Sequence, residues 1–416
     1  MSAETVRIAR LGAEGDGVAD SSSGPIYVPF ALPGEEVSIA RVKNQGTIMS
    51  IQTPSAERIA PACAHFGPEG ENGTCGGCSL QHLAAAPYHE FKRDLVINAL
   101  RSKGLTPEVG PLITAQPGQR RRAVFTARKT EKELLLGFNQ PSSHHIVSIR
   151  ECAVISDGLL GKLGSIKAIG RALATNAEPF RMTVLETSTG LDIAIDGIKG
   201  LDDKKRRFGI ETILGEKGIA RVSLDGEILI EPIRPVLQFG DVDVSPPSGG
   251  FVQATREAET VMAELVLGHV GKAKRVADLF AGSGTFSLRM ARTARVHAVE
   301  SEDKAIKALD HAARNTQGLK PVSIEKRDLF RRPLMAQELK VFDAVVFDPP
   351  RSGAEFQSKE LARSGVKKIV AVSCNPLTLA RDLAILVAAG YAIRFVTPLD
   401  QFLWSTHVEV VVGLEK

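Results

Sequence analysis

The segment VADLFAGSGTFSLRMA, residues 276–291, decides the fold of the C-terminal part of this 416-residue chain. An apolar stretch that suits a β-strand leads into a glycine-rich turn, and a helix-forming stretch follows the turn. This order is typical of nucleotide-binding α/β folds, in which glycines let the backbone approach a bound cofactor. A glycine-rich turn is shared by dinucleotide, flavin and other cofactor folds, so the neighbouring segments have to separate them.

The segments around this turn alternate between strand-like and helix-like patterns up to the end of the chain. The strand-like segments are KRVADLF, RVHAVES, PVSIEKRD, AVVFDPP, KKIVAVSC, YAIRFVTP and VEVVVGL. Such alternation predicts a doubly wound, Rossmann-like α/β sheet that binds its ligands at the carboxyl ends of the strands. The stretch SPPSGGFVQ marks the start of this part, and we predict an α/β domain at residues 246–416.

Acidic residues at the predicted strand ends indicate which cofactor the sheet holds. The turn has the pattern G-x-G-T-F from Gly282 onward, which departs from the G-x-G-x-x-G of dinucleotide folds. Glu300 ends the second strand, where a carboxylate accepts hydrogen bonds from ribose hydroxyls, and Asp328 follows the third strand, where it could serve an adenine amino group. With DPP at 348–350, this spacing resembles the class I S-adenosylmethionine-dependent methyltransferases. A dehydrogenase is the alternative.

Bulk properties argue against a membrane protein and against a disulfide-rich secreted protein. No apolar run reaches the length of a membrane span, and the N-terminus MSAETVRIAR lacks the pattern of a signal peptide. We therefore expect a cytoplasmic protein whose cysteines stay reduced. The net charge of +4 and the aromatic content of 5% do not by themselves indicate a nucleic-acid-binding protein.

Two β-rich domains are predicted before the α/β domain. Residues 1–60 contain about five short strand-like segments separated by turns, which suits an OB-like β-barrel, a fold often used to bind RNA. The pattern EGDGVA…IYVPFALPGEEV resembles the TRAM domain, an RNA-binding module, and a barrel that packs without contacting RNA is the alternative. Residues 61–245 form a central β-rich domain with helix-like stretches at about 157–176 and 199–208.

Basic residues in the central domain form two clusters, Arg120–Arg122 and Lys204–Arg207. A solvated surface is the simplest explanation of either cluster. The functional explanation is contact with phosphate groups, and we expect Arg120–Arg122 to bind RNA in this way.

The five cysteines divide into two groups with different chemistry. Four of them could ligate one metal centre, and both zinc and an iron–sulfur cluster suit the set Cys63, Cys75, Cys78 and Cys152. Cys374 stands alone after the apolar strand KKIVAVS, on the cofactor side of the predicted sheet. A lone thiol at that place is a candidate nucleophile, and a buried structural cysteine is the alternative.

Glu409 is a single acid within the apolar run of THVEVVVGL. A carboxylate in such surroundings is a candidate general base. The alternative is a glutamate on an edge strand that faces solvent.

Six motifs in a fixed order resemble the RNA uracil-5-methyltransferases of the TrmA and RumA type: FVQAT at 251–255, DLFAGSGTF, AVE, DPPR, SCNP and HVEVV. The resemblance covers nearly the whole chain. It implies that Cys374 adds to C6 of uracil and that Glu409 removes the C5 proton after methyl transfer. It also implies that the cofactor and base pocket is lined by Gln253, Phe280, Thr285, Glu300, Asp328 and Asp348. The family often has Asn where this chain has Thr255, so Thr255 receives no role.

The resemblance favours a 4Fe-4S cluster over zinc, because the ribosomal members of the family carry such a cluster on three closely spaced cysteines and a distant one. Eleven residues separate Cys63 from Cys75, more than in the family, and we interpret PEGENG as a loop insertion. A cluster distant from the methyl-transfer site would be structural or would shape the RNA-binding surface.

The TRAM-like domain and the four cysteines favour 23S rRNA over tRNA as substrate, since the tRNA-acting branch of the family typically lacks both. The resemblance thus implies a monomeric enzyme that uses S-adenosylmethionine and RNA. Three alternatives stay open: a tRNA uracil-5-methyltransferase, an amino-group methylase that uses DPPR without a thiol, and a non-catalytic RNA chaperone or ribosome-assembly factor.

Overall fold

The structure is a computed structural model that describes residues 3–416. Its strands form three large sheets and a two-stranded hairpin. The first two residues of the domain predicted at 1–60 lie outside the described residues. Within residues 3–416, no helix combines the length and the apolar character that a membrane crossing requires.

The N-terminal sheet has six strands in the order β1-β5-β6-β4-β3-β2 and curls into a small barrel. Its strands are β1 (Ala3–Arg7), β2 (Arg10–Leu11), β3 (Gly17–Ala19), β4 (Ile26–Val28), β5 (Glu36–Val42) and β6 (Gln45–Thr53). Buried aliphatic side chains, Ile26 and Ile39 among them, fill its interior. A Cβ atom at Gly46 would lie 2.7 Å from Cδ1 of Ile39 and 3.0 Å from Cγ2 of Val28, so the interior of the barrel is closely packed at this point. The curled sheet confirms the OB-like barrel of the predicted fold class.

The central sheet has seven strands in the order β13-β12-β11-β10-β7-β8-β9. Its strands are β7 (Arg122–Lys129), β8 (Leu134–Asn139), β9 (Ile146–Ser148), β10 (Phe180–Thr187), β11 (Gly190–Asp196), β12 (Ile219–Leu224) and β13 (Glu227–Ile230). Four helices precede the last strand of this sheet along the chain: α1 (Ala85–Arg101), α2 (Asp157–Leu160), α3 (Leu163–Leu173) and α4 (Asp203–Gly215). Helix α3 packs on the sheet and α4 packs on α3. This arrangement confirms the predicted β-rich centre.

A short hairpin of β14 (Leu237–Phe239) and β15 (Val242–Val244) leads into the C-terminal sheet. That sheet has the order β18-β17-β16-β19-β20-β22-β21. Its strands are β16 (Arg275–Leu279), β17 (Arg295–Glu300), β18 (Val322–Lys326), β19 (Ala344–Phe347), β20 (Lys368–Ser373), β21 (Ala392–Leu399) and β22 (Glu409–Glu415). Its helices are α5 (Arg256–Val270), α6 (Ser287–Met290), α7 (Asp303–Asn315), α8 (Ala336–Leu339), α9 (Glu355–Ser364) and α10 (Pro376–Ala388).

Five neighbouring strands of this sheet are parallel, and β22 runs antiparallel between β20 and β21. Both faces of the sheet are apolar, as a parallel sheet covered by helices requires, and the side chains of Val276, Val345 and Val346 are inaccessible to water. The sheet confirms the predicted Rossmann-like α/β fold. Because the parallel strands end at one edge, the loops after β16, β17, β19 and β20 meet there.

Candidate active site at the carboxyl edge of the C-terminal sheet

A cavity of about 1110 Å³ opens where these loops meet. Seven of the residues predicted for catalysis or for the cofactor and base pocket line it: Gln253, Phe280, Thr285, Glu300, Asp348, Cys374 and Glu409. Asp328 is outside the wall of the cavity, and its neighbour Phe330 is part of the wall. The ring centroids of Phe330 and Phe280 lie 5.5 Å apart, which gives this end of the cavity an aromatic surface.

The glycine-rich turn follows β16 and has a backbone that other residues seldom adopt. Gly282 and Gly284 have φ angles of 54° and 99°, in the left-handed region that glycine tolerates best. A Cβ atom at Gly284 would also lie 2.9 Å from the side chain of Leu309. Gly282 lies in the cavity wall, while Gly284 lets the turn pack closely against Leu309 of helix α7.

Glu300, at the end of β17, ties this turn to the neighbouring strand. Its Oε2 accepts a hydrogen bond from the Gly282 amide at 3.0 Å, and its Oε1 accepts hydrogen bonds from the amides of Ser301 and Glu302 at 2.6 and 2.7 Å. A carboxylate oriented by three backbone amides is fixed in place and keeps lone pairs that face the cavity. It can hold a hydroxyl-bearing ligand beside the turn.

Cys374 and Glu409 are brought together by strand pairing. Ser373 of β20 pairs with Val410 of β22 in an antiparallel ladder, so the next position along the ladder sets Cys374 opposite Glu409. Side chains at directly opposite positions have Cβ atoms about 5 Å apart. Glu409 is 2% exposed, and the thiol lies in the cavity wall.

The electrostatics of the two groups are coupled. Burial, together with the carboxyl groups of Glu409 and Asp348, raises the pKa of the Cys374 thiol to about 11, while Arg351 acts to lower it. Burial raises the pKa of Glu409 well above its usual range, and the charge of Asp348 adds to this effect. Burial also raises the pKa of Asp348 to about 7. The buried carboxyl groups of Glu409 and Asp348 repel each other when both are ionised. They therefore titrate as a pair.

Gln401, which the sequence did not single out, joins Glu409 to Gln253, and Gln253 continues the chain of hydrogen bonds to Asp348. Its Nε2 donates to Glu409 Oε2 at 2.5 Å and to Gln253 Oε1 at 2.9 Å. The Nε2 of Gln253 in turn donates to Asp348 Oδ2 at 3.2 Å. Gln401 lies in a loop eight positions before Glu409, and nothing in the periodicity of that loop distinguishes it.

Arg351 and His407 form a second contact that the sequence analysis missed. Arg351 Nη2 lies 2.7 Å from the imidazole of His407, and burial with nearby positive charges lowers the pKa of His407 to about 4. The backbone carbonyl of Arg351 accepts a hydrogen bond from the Asn375 side chain at 3.0 Å. The loop after β19 is thus tied to the residue that follows Cys374.

The side chain of Thr255, which received no role from the sequence, caps helix α5. Its hydroxyl oxygen accepts a hydrogen bond from the Ala258 amide at 3.1 Å. This contact satisfies one free amide at the start of the helix, so the position is structural.

The four remaining cysteines flank the other end of the same cavity, and all four line it: Cys63, Cys75, Cys78 and Cys152. Burial, with smaller contributions from neighbouring thiols, raises the pKa of Cys75 and of Cys78 to about 11 and about 12. Within residues 3–416, no group of three or more His, Cys, Asp or Glu side chains is arranged to hold a metal ion. Four thiols on one cavity wall suit a thiolate-bound centre by their chemistry alone, and the 4Fe-4S cluster stays a prediction.

The long segment between Cys63 and Cys75 folds around a buried histidine. The carbonyl of His65 accepts a hydrogen bond from the Cys75 amide at 2.9 Å, and its ring Nδ1 lies 3.1 Å from the Glu71 carbonyl. Glu71 forms an ion pair with Arg150 at 2.7 Å. The segment therefore folds back toward the chain that carries Cys152, and the extra residues do not separate Cys63 from the other cysteines.

The prediction that Arg120–Arg122 together contact RNA is wrong for Arg121. Arg121 is 5% exposed, and its Nη2 donates to the buried carboxylate of Glu259 at 2.5 Å. It holds the central sheet against α5, and a run of charges does not reveal which of its members faces inward. Arg120 lines the cavity, with its guanidinium 5.9 Å from the ring centroid of Phe402.

Comparisons with known proteins identify the family of the chain. A family model described as tRNA (uracil-5-)-methyltransferase matches residues 199–416. An uncharacterized RNA methyltransferase of Agrobacterium fabrum is 69% identical over 416 residues, which cover 100% of both chains. The 23S rRNA (uracil(1939)-C(5))-methyltransferase RlmD of Hahella chejuensis is 32% identical over a match that covers 99% of this chain and 97% of that protein.

A solved structure shares the whole fold. The tRNA (uracil-54, C5)-methyltransferase of Pyrococcus abyssi, in complex with S-adenosyl-L-homocysteine, superposes with a TM-score of 0.75 at 24% identity. The match covers 99% of each chain, so all three sheets take part. By sequence and by fold, the chain belongs to the tRNA (uracil-5-)-methyltransferase family, as its motifs predicted.

Proposed function

We propose that the protein transfers a methyl group from S-adenosylmethionine to C5 of a uridine in RNA, with Cys374 as nucleophile and Glu409 as base. The observation that carries this proposal is the antiparallel register of β20 and β22, which sets the thiol opposite the carboxyl group in one cavity wall. An amino-group methylase has no use for such a pair. A non-catalytic RNA chaperone would not need it either.

The proposed reaction follows from the electronic structure of uracil. Thiolate addition from Cys374 forms a bond at C6 and places carbanion character on C5, which is otherwise too weak a nucleophile. S-adenosylmethionine, when bound, supplies an electrophilic methyl group on its sulfonium. After C5 has taken the methyl group, the carboxylate of Glu409 removes the C5 proton. The electron pair of that C–H bond restores the C5–C6 double bond and expels the Cys374 thiolate.

Residues near the glycine-rich turn would hold the cofactor. Glu300 has lone pairs free for ribose hydroxyls, and Phe280 and Phe330 offer an apolar surface for a flat purine ring. Asp328 accepts a hydrogen bond from the Phe330 amide at 2.9 Å and would act by positioning Phe330 in the cavity wall. Gln253 and Asp348, beside the catalytic pair, would contact the base. The target uridine would have to leave its stack to reach this cavity.

Two substitutions test the mechanism. With Glu409→Gln, addition and methyl transfer still occur but the C5 proton stays, so a covalent protein–RNA adduct should accumulate on a denaturing gel. With Cys374→Ala, neither adduct nor methylated product should form. Glu415→Gln, which changes a carboxylate on the same strand outside the cavity, is the matched control and should behave as the native protein. Product formation by Cys374→Ala, with no adduct from Glu409→Gln, would refute the mechanism.

We propose 23S rRNA as the substrate. The support is the 32% identity to a 23S rRNA enzyme across nearly the whole chain, together with the four cysteines. The N-terminal barrel does not distinguish the two substrates, because the match to the tRNA enzyme of Pyrococcus abyssi covers 99% of each chain. Mapping 5-methyluridine in RNA from a strain that lacks the gene tests this directly. Loss of the modification from 23S rRNA is the expected result, and loss from tRNA alone would assign the protein to the tRNA alternative.

The proposal includes a 4Fe-4S cluster held by the four cysteines that share the cavity, which would fix the fold of the central domain beside the RNA path. Protein purified without oxygen should be brown and should contain about four iron atoms per chain. A colourless anaerobic preparation with one zinc ion per chain would refute the cluster. We also expect a monomer located in the cytoplasm, and the mass measured by light scattering checks the first of these expectations.

A further inference from the structure

Gln401 uses both ends of its side-chain amide inside the protein. Its Oε1 accepts a hydrogen bond from the Ala254 backbone amide at 3.0 Å, and its Nε2 donates to Gln253 and to Glu409. A backbone amide can only donate, so this contact fixes which end of the Gln401 side chain is oxygen. Gln401 is 2% exposed, and water cannot substitute for its partners.

The fixed orientation of Gln401 is passed on to Gln253. Because the Nε2 of Gln401 can only donate, it must face the oxygen of Gln253, which leaves the Nε2 of Gln253 to donate to Asp348. An inverted Gln253 would set its NH₂ group against that of Gln401 and its oxygen against a carboxyl oxygen of Asp348. Each atom of the fixed amide keeps one more hydrogen-bonding site: a lone pair on Oε1 and an N–H on Nε2.

The orientation of the Gln253 amide decides which pyrimidine base it can bind. At positions 3 and 4, uracil presents an N–H donor and a carbonyl acceptor, whereas cytosine presents a ring-nitrogen acceptor and an amino donor. An amide that turns freely can match either base by inverting. An amide held in one orientation matches one base and sets like groups against the other, which costs the site at least one hydrogen bond.

We propose that Gln401 is a positioning residue that locks the amide of Gln253 and thereby makes the site select uridine over cytidine. This inference rests on the proposed function, in which Gln253 contacts the base. Since the same NH₂ group donates to Glu409, Gln401 also holds the carboxyl group that removes the C5 proton. Base selection and proton removal would thus depend on one side chain.

The experiment uses the full-length protein and a stem–loop RNA that carries the mapped uridine, beside the same RNA with cytidine at that position. Single-turnover methyl transfer is measured for the native protein, for Gln401→Met and for Gln357→Met. Methionine keeps the length of glutamine but makes none of its hydrogen bonds. Gln357 is the matched control, because it is 1% exposed, bonds to both backbone groups of Leu334 and lies outside the cavity.

We expect Gln401→Met to lower the uridine-to-cytidine rate ratio about tenfold, which corresponds to the loss of one hydrogen bond. The covalent adduct with uridine RNA should also persist longer, because Glu409 has lost a positioning contact. Gln357→Met should lower the unfolding temperature and leave both the ratio and the adduct lifetime unchanged. A ratio within twofold of the native value in a Gln401→Met protein that binds S-adenosylmethionine normally would overturn the inference.

Gln401→Asn keeps the amide but withdraws it by one methylene, so it covers the case in which Gln401→Met does not fold. It should change the ratio in the same direction. If neither variant binds S-adenosylmethionine, the side chain is needed for folding and the inference is wrong. Failure of the native protein to methylate the uridine RNA is a separate result, which would contradict the proposed function itself.

Discussion

The reactivity of Cys374 is set by opposing charges. Burial and two carboxyl groups raise the pKa of the thiol to about 11, and the guanidinium of Arg351 acts in the other direction. A thiol with a raised pKa is protonated at neutral pH, and the reactive thiolate increases as the pH rises toward that pKa. The pKa of Glu409 is also raised. In the proposed mechanism Glu409 acts as a base only when ionised, so this step too should become faster as the pH rises.

We therefore expect the single-turnover rate of methyl transfer to increase with pH through the neutral range. Arg351→Gln removes the stabilising positive charge, raises the thiol pKa further and should move the profile to higher pH. The rate at pH 7 should then fall about tenfold if the thiol pKa rises by one. Arg351→Lys keeps the charge and should stay close to the native profile. A profile that Arg351→Gln leaves in place would show that Arg351 does not act on the thiol.

Some residues of the site were predictable and others were not, for physical reasons. Glu409 is conspicuous because burying a carboxyl group within an apolar run is costly. Cys374 is conspicuous because it stands apart from the other four cysteines, at the end of an apolar strand on the cofactor side of the sheet. Gln401 carries no such signal, because its importance lies in partners that only the folded chain brings close. The prediction that Arg121 contacts RNA was wrong because its buried partner, Glu259, is distant in sequence and no local pattern reveals the ion pair.

At the scale of elements, the loop 400–408 between β21 and β22 is held by helix α1 of a distant part of the chain. Lys92 and Asp400 form an ion pair at 2.8 Å in which neither side chain is exposed. Lys92 Nζ also donates to the carbonyl oxygens of Phe402 and His407, and the Tyr88 hydroxyl donates to Asp400. These contacts shape the loop that carries Gln401 and leads to Glu409.

Breaking this ion pair should be costly. Lys92→Met leaves the carboxylate of Asp400 buried without its cation and should lower the free energy of unfolding by about 3 to 5 kcal/mol. Adding Asp400→Asn removes that stranded charge, so the double variant should lose less stability than the sum of the single variants. Urea denaturation measures all three. Lys103→Met, at an exposed position just after α1, is the control and should change little. Additive losses would mean that the two groups are not coupled.

Whether a segment forms a strand or a helix was easier to predict than which strands pair with one another. Alternating strand-like and helix-like patterns predicted the C-terminal sheet, because a parallel strand covered on both faces is apolar throughout. The antiparallel insertion of β22 beside β20 is a long-range pairing, and no local pattern encodes it. That pairing is what sets Cys374 opposite Glu409, so the relative position of the two proposed catalytic residues had to come from the structure.

At the scale of the whole molecule, the three sheets are joined by buried polar and aromatic contacts around one cavity. Glu259 of α5 binds Arg121 of the central domain and Arg289 of the C-terminal domain at 2.5 and 2.9 Å. On the other side, Phe30 of the N-terminal barrel packs edge-on against Phe66 of the cysteine segment, with ring centroids 5.3 Å apart. The barrel is thus fixed beside the cysteine end of the cavity.

We expect the exposed tip of the β5–β6 hairpin to contact RNA outside the cavity. Lys43 at the tip is exposed, as is the adjacent Val42 at 56%. An RNA long enough to reach the barrel should release counterions there, so its affinity should fall with salt concentration. Lys43→Gln should weaken binding of such an RNA and reduce the salt slope by roughly 0.7 to 0.9, the value of one phosphate contact.

Lys272→Gln is the matched control for this last prediction. Lys272 is also exposed but precedes β16, at the amino edge of the C-terminal sheet and opposite the cavity. Its substitution removes the same charge from the whole molecule, so any general effect of net charge should appear in both variants. Filter binding over a range of salt concentrations should give a reduced slope for Lys43→Gln alone. Equal slopes for the two variants and the native protein would mean that the hairpin does not touch RNA and that the barrel serves the fold.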